Sequence, residues 1–395
     1  MRKPVPLRWV VMSVFVLSSA LNYLDRQILA ALAPLLRAEF HLTNAGYGQV
    51  LAVFSITYAA CSPVAGLLID RFGLNRGISL GVGLWSLAGV ATGFVRNLPG
   101  LLSCRAVLGA AESSGVPAVG KALHKYLPAK ERALGNALSQ IGLSVGAIIA
   151  PPLATWFALR HGWRSAFLFT GLLGLCWIPL WLWVSRRAPE AAPERGGVPD
   201  VSSLLRDRRL WGFVAANVAS MPVYTLWSNW TTLYLKDVHG LTLVKANLLA
   251  PIPSFFAYAG GLAGGWLSLR WISRGREALE ARRRACLASA VALLATAIVP
   301  LMPGPVWATV AISLSFFSIA AWSVNLYTMP LDAFGGARAA FSVSLLTGAY
   351  GAMQAVISPL IGAMIDRHGY GPVFVMAAVT PIFAYGILHL TRQPR

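Results

Sequence analysis

Apolar residues in this chain fall in long runs separated by short polar breaks. A helix needs about 20 mostly apolar residues to cross the hydrocarbon core of a bilayer. Runs of that size cover approximately 9–36, 46–69, 77–95, 97–120, 133–159 and 165–185, then 209–235, 246–270, 285–302, 305–330, 339–365 and 370–391. The pattern predicts twelve spanning helices. Only a short turn holding Pro300, Pro303 and Pro305 parts the ninth from the tenth. The first run follows Met1-Arg2-Lys3 as in a signal peptide, but it continues through Asp25-Arg26 to Leu36 with no small-residue cleavage site. It therefore reads as the first span.

Composition agrees with a chain that faces lipid. Of its 395 residues 56% are hydrophobic and only 12% charged, about half the charged fraction of a soluble protein, and the mean hydropathy is +0.63. A net charge of +19 could suggest nucleic acid as a partner. The basic residues nevertheless sit in short loops and form no domain of their own, so that class is excluded. They report orientation instead. With the N-terminus inside, 24 of the 33 Lys and Arg lie on the cytoplasmic side and 7 outside, while Arg26 and Arg105 lie within spans. Such a bias puts both termini in the cytoplasm. The four cysteines form no Cys-x-x-Cys pair and the six histidines show no ligand spacing, so neither a metal site nor a cofactor is indicated. Without a nucleophile–base pair, a phosphate loop or a soluble catalytic domain, an enzyme is disfavoured.

The longest polar segment, 186–208, divides the chain into six spans (1–185) and six spans (209–395) and reads as a cytoplasmic linker. The halves echo one another. Pro152-Leu153, Arg160-His161-Gly162-Trp163 and Phe167 recur 207 residues later as Pro359-Leu360, Arg367-His368-Gly369-Tyr370 and Phe374. Gly66-Leu67-Leu68-Ile69-Asp70-Arg71 is echoed, at an offset of 199, by Gly265-Trp266-Leu267-Ser268-Leu269-Arg270. Parallel repetition of two six-helix bundles predicts an all-α, pseudo-symmetric membrane protein with a binding site between its halves.

The stretch Gly66-x-x-x-Asp70-Arg71-x-Gly73-x-x-Arg76, after the second span, resembles the signature of the major facilitator superfamily. The resemblance implies a cytoplasmic gating motif whose glycines allow close helix approach and whose Asp70 and basic residues form a charge cluster. The second copy has Leu269 in place of the acid, which predicts a weaker latch there. Within that superfamily the chain looks like the anion:cation symporters, most of all their bacterial hexuronate and aldonate carriers. The supporting residues are Asn22-Tyr23-Leu24-Asp25-Arg26, Arg105-x-x-x-Gly109-x-x-Glu112, Pro128-Ala129-Lys130-Glu131-Arg132 and the run from Gly146 to Leu153. The Asp-Arg and Arg-to-Glu elements also occur in spinster-like lipid carriers; the Pro-Ala-Lys-Glu-Arg loop and Pro151-Pro152 tip the balance to organic anions. The family's partners would be a small organic anion, protons and the bilayer, handled by a monomer.

Asp25, Arg26, Arg105 and Glu112 are the ionisable residues well inside spans, all in the first half. A charge at the bilayer centre costs at least about 2.5–3.5 kcal/mol, so these four should be partnered and functional. They could simply clamp the first and fourth spans together, but a buried ion pair seldom adds net stability over an apolar pair. Arg105 and Glu112 share a helix face about 10 Å apart along the axis, too far to pair, so each must meet something from the first span. Two acids and two arginines sum to zero. A carboxylate substrate adds one negative charge, and protonation of Asp25 or Glu112 restores neutrality, so anion and proton favour each other's binding. The resemblance likewise implies proton sites at the Asp and Glu and substrate or acid contacts at the arginines. Arg26 is assigned to the carboxylate, which guanidinium binds bidentately, and Arg105 to Asp25.

Softer candidates for contact with a polar cargo are Tyr23, Tyr58, Gln140, Ser144, Tyr224, Trp227, Asn229, Trp322, Asn325 and Gln354. The aromatics could equally anchor at the membrane interface or pack, and the amides could tie helix to helix. The competing reading is export or flipping of an amphipathic lipid or drug, which would call for a greasier site.

Overall fold

The computed structural model describes residues 7–187 and 201–391, apart from the side chains at 63, 70, 129, 130, 133, 201, 202 and 336–340. Tail residues 1–6 and 392–395, most of the predicted linker, and the side chains of Asp70 and Lys130 lie outside that set. The described chain is helical: α1 (Leu7–Glu39), α2 (Asn44–Phe72), α3 (Leu74–Thr92), α4 (Leu98–Glu112), α5 (Gly115–Tyr126), α6 (Ala129–His161), α7 (Trp163–Ser185), the short α8 (Val201–Leu205), α9 (Arg208–Ser220), α10 (Pro222–Asp237), α11 (Leu243–Leu249), α12 (Pro251–Ile272), α13 (Ala278–Leu293), α14 (Pro305–Phe334), α15 (Gly336–His368) and α16 (Tyr370–Leu390).

All twelve predicted spans fall on helix, and the third ends early, at Thr92. Eight segments are individually long and apolar enough to cross a membrane. Several spans are broken. The fourth parts into α4 and α5, the seventh into α9 and α10, and the eighth into α11 and α12. The ninth tightens after Leu293 into a 3₁₀ segment, Leu294–Leu301, which contains Pro300. The Arg-His-Gly-aromatic echo has a structural cause. Gly162 (φ 80°) and Gly369 (φ 72°) end α6 and α15 in the left-handed region, which lets Trp163 and Tyr370 open the next helices at once.

Two compact units emerge: unit 1, Met1–Leu42 and Val50–Arg195, and unit 2, Thr43–Gln49 and Gly196–Arg395. In unit 1, Gly142 and Gly146 bring α6 onto the backbone of α1 at Val16 and Ala20, and Gly171 brings α7 onto α3 at Ser86 and Val90. Small residues drive such contacts in lipid, where apolar side chains gain little by leaving the hydrocarbon. Stacked Trp177 and Trp181, with Phe15 and Tyr126, fill the space between these helices. In unit 2, Gly260 and Gly264 seat α12 on α14 at Phe317 and Ala321. Tyr234, Phe374, Tyr370 and Trp227 form an aromatic cluster there. The short segment at the start of α2 belongs to this unit. The Asp366 carboxylate accepts from the Asn44 and Ala45 backbone N–H groups (3.0 and 2.8 Å) and from Asn44 Nδ2 (2.8 Å), which caps α2 from another helix.

The gating motif is partly visible. Gly66 lies on α2 near Pro117 of α5, and Gly73 (φ 80°) turns the chain into α3. Arg71 and Arg76 are exposed, and Lys121 donates to the Ile69 carbonyl at 3.1 Å. The second half differs from expectation. Although Leu269 is exposed and apolar, Arg282 of α13 pairs with Asp332 near the end of α14 and also donates to Ser268 Oγ (3.3 Å). An acid on α14, Asp332, thus lies beside this second copy of the motif.

Candidate functional site: a charge cluster in unit 1

The cluster rests on α1 and α4. Asn22 precedes Asp25 and Arg26 by three and four residues on α1, so its side chain lies between theirs around the helix. On α4, the Asn97 side chain accepts from Gly100 N (2.9 Å) to cap the first turn, and Pro99 suits that position because it needs no donor. Ser113 and Ser114 end α4 by bonding back to the Ala110 and Ala111 carbonyls, both at 2.7 Å. Glu112 is thus the last residue before an interruption inside a span. Gly109 lets α4 touch α2 at the Phe54 carbonyl and Thr57, where any side chain would collide. That contact brings Arg105 against Phe54.

Glu112 is fully buried, Arg105 and Asp25 nearly so, and the Arg26 side chain is one quarter exposed. Arg26 Nε donates to Glu112 Oε2 at 2.5 Å. The Arg26 guanidinium also lies over the rings of Phe54 (4.9 Å) and Tyr58 (4.7 Å), and Arg105 lies over the same Phe54 (4.7 Å). Thr170 of α7 stands close to Asp25, and the charge of Arg105 acts on both Asp25 and Glu112. Two acids and two arginines are therefore gathered in a single unit. Arg26, assigned from sequence to the substrate, is bonded to Glu112 here, so an arriving carboxylate would share or displace that bond.

The remaining candidates divide. Tyr58, whose ring lies under the Arg26 guanidinium, belongs to the cluster, while Tyr23 lies half-buried beside it in sequence. Gln140 is exposed, and Ser144 uses its hydroxyl on the Gln140 carbonyl (2.9 Å) because the opposite, glycine-bearing face of α6 is the one turned to α1. In unit 2 three candidates spend their donors within the fold. Trp227 donates to Ser315 Oγ (2.8 Å). Asn229 Nδ2 donates to the Thr225 carbonyl (2.9 Å). Asn325 Nδ2 reaches Gly264 O (3.0 Å) and Ala321 O (2.9 Å), tying α14 to α12. These bonds occupy the donors of Trp227, Asn229 and Asn325, while Asn325 Oδ1 is buried without a hydrogen-bond partner. Trp322 is fully buried, Tyr224 packs edge-on against Phe316, and Gln354 is half-buried. Sequence reasoning missed Thr170, Phe54 and Asn22. Asn22 carried a signal, one turn before Arg26; Thr170 sits in a uniformly apolar span and carried none. Among the described residues no three His, Cys, Asp or Glu side chains gather in a way that could hold a metal.

The sequence profile of the Major Facilitator Superfamily matches residues 15–341. The hexuronate transporter of Escherichia coli (strain K12) is 29% identical, over 96% of this chain and 92% of that protein. The galacturonate transporter of Dickeya chrysanthemi is 30% identical over 67% of this chain and 82% of its own length. Among solved structures, a bacterial homologue of the human lysosomal transporter Spinster, inward-facing and occupied, superposes with a TM-score of 0.79 at 19% identity over 98% of this chain and 97% of that one. That last likeness speaks for the fold alone.

Proposed function

The chain belongs to the major facilitator superfamily, and from that premise we propose that it carries a sugar-acid anion, a hexuronate or aldonate, together with protons across the inner membrane by alternating access. That it is a multi-pass membrane transporter follows from the family. Its cargo, its coupling and its topology are our reading. In that reading residues 1–185 and 209–395 are the two halves, 186–208 joins them in the cytoplasm, and both termini are cytoplasmic.

The observation that carries the proposal is the charge-balanced cluster in unit 1. Asp25, Arg26, Arg105 and Glu112 sum to zero, and Arg26, bonded to Glu112, keeps a quarter of its side chain exposed. A carboxylate that binds Arg26 competes with Glu112 for it. Once released, a Glu112 carboxylate would be buried without its partner, which favours taking up a proton. Anion and proton thereby bind cooperatively, each raising the affinity for the other by the same factor. The relatives named for hexuronate and galacturonate supply the substrate class. Tyr23 and Tyr58 are assigned to sugar hydroxyls beside the charged head.

The test is uptake of labelled galacturonate or glucuronate into proteoliposomes with an acidic exterior. Unlabelled sugar acid should compete, and the neutral parent sugar should not. Equal competition by the neutral sugar would remove the charge cluster from the binding site. Movement of an amphipathic lipid with no sugar-acid transport would establish the exporter or flippase reading instead.

A further inference from the structure

Buried amides in this fold have a common habit: Asn217 Nδ2 donates to the Leu346 carbonyl, Asn229 Nδ2 to that of Thr225 and Asn325 Nδ2 to those of Gly264 and Ala321. Asn22 departs from it. It is 8% exposed, and its Nδ2 alone among the described asparagine amide nitrogens is buried without a hydrogen-bond partner. No carbonyl of a neighbouring helix uses it, so it is not a helix–helix tie. Its neighbour is Glu112, which has an unpaired atom of its own. Oε2 of that carboxyl takes the Arg26 Nε–H, while Oε1 is buried and unbonded. The two side chains lie close enough to interact, yet short of a formed bond. The first residue of α5 borders the amide without crowding it: a Cβ placed on Gly115 would stand 4.0 Å from Asn22 Nδ2.

While Arg26 shares its Nε–H with Oε2, the oxygen of Glu112 open to an arriving proton is Oε1. An amide offers both a donor and an acceptor, and a half-turn about its terminal bond exchanges them. We propose that Asn22 is the positioning residue for the Glu112 proton, donating through Nδ2 to Oε1 when the carboxyl is ionised and accepting through Oδ1 when it is protonated. This rests on the proton-coupled reading above and gives it a specific atom. The charged and titratable groups around Glu112 are Arg26 and Asp25 on α1 and Arg105 on α4, with Tyr58 of α2 reaching it through Arg26. Arg26 and Arg105 carry donors only, and no hydrogen bond joins the Asp25 carboxyl or the Tyr58 hydroxyl to Glu112 in this structure.

The experiment is pH-difference infrared spectroscopy on the purified full chain. The carbonyl band of the protonated carboxylic acid that Glu112→Gln abolishes identifies Glu112. In Asn22→Leu, which keeps the volume and loses the amide, that band should move to higher frequency as its hydrogen bond disappears. Its titration midpoint should shift by about one pH unit, because the ionised form loses a charge-assisted bond about twice as strong as the one the acid form loses. Asn22→Gln should restore both. Should the leucine variant not fold, Asn22→Ala provides the same comparison. Wild-type band position and midpoint in a folded Asn22→Leu or Asn22→Ala would overturn the assignment of Asn22 while leaving proton coupling intact. If no Glu112 band titrates in the wild type, the coupling itself fails and this inference falls with it.

Discussion

Replacing Glu112 by glutamine tests the coupling most directly, since glutamine has the shape of the protonated acid and cannot ionise. The structure sets the size of the effect on folding. The change replaces the carboxylate that accepts from Arg26 at 2.5 Å by a neutral amide oxygen, a loss of about 1–1.5 kcal/mol. A fully buried pair broken outright would lose 3–5 kcal/mol. Arg26, however, is a quarter exposed and rests on the faces of Phe54 and Tyr58, so its charge is not left without support. The protein should fold and bind anion. Transport should divide into two parts. If one proton enters with each singly charged anion, a gradient of one pH unit supplies 1.36 kcal/mol and concentrates the sugar acid about tenfold. Glu112→Gln should instead equilibrate it to unity while exchanging labelled for unlabelled anion at a rate near that of the wild type. Proteoliposomes with an imposed pH gradient, run beside counterflow with none, measure both. Tenfold accumulation by the variant would refute the reasoning and move the proton to Asp25.

Four further outcomes follow from particular contacts. Arg26→Lys keeps the charge but loses the planar fork, so affinity for a sugar acid should drop about tenfold or more in a thermal-shift titration, and wild-type affinity would remove Arg26 from the site. Asp366→Ala strips three hydrogen bonds from the start of α2 and should destabilise unit 2 by about 1–2 kcal/mol in thermal unfolding; an unchanged Tm would show the cap to be idle. Asp207 caps α9 through Arg209 N (2.8 Å), and hydrogen bonds from the Arg209 side chain hold its carboxyl below the usual range. A lowered folded-state value means the contribution is complete at neutral pH and fades as pH falls through the carboxylate range, so the Tm difference between wild type and Asp207→Ala should shrink in acid. Arg195→Cys should resist impermeant thiol reagents from outside intact cells; labelling as fast as an outer-loop control would reverse the orientation read from the basic residues.

Legibility in the sequence followed the size of the free energies involved. Crossing lipid without satisfied backbone groups is so costly that twelve apolar runs had to become helix, and they did. The interruptions at Ser113-Ser114, Met221 and Ala250 carried a signal that run length alone does not read: Gly115 and Pro117, Pro222 and Pro251 follow them directly. At the site, four charges in apolar surroundings announced themselves. Their pairing did not. Arg26 follows Asp25 directly in sequence, but consecutive residues diverge by about 100° around a helix, and what Arg26 meets is set by the glycine contact that seats α4 on α2. Thr170 reached Asp25 from a span whose composition gives no hint of polarity.

Unit 2 shows why polar residue type alone overstated the site. Asn229, Asn325 and Trp227 looked equivalent to Asn22 and Tyr58 in the sequence, since each is a polar group in an apolar run. In the fold the first three are bonded to carbonyls or hydroxyls fixed by their own helices, an arrangement with one low-energy state. Removing such a group exposes an unsatisfied carbonyl or hydroxyl and destabilises the unit, with no reason to alter coupling. The unit 1 cluster is different in kind. Glu112 has one oxygen on Arg26 and one free, Asn22 has an unused donor, and Arg26 is partly open, so partners can be exchanged as an anion or proton arrives. A carrier must change state with its load. A set of charges that balances in more than one way can do that.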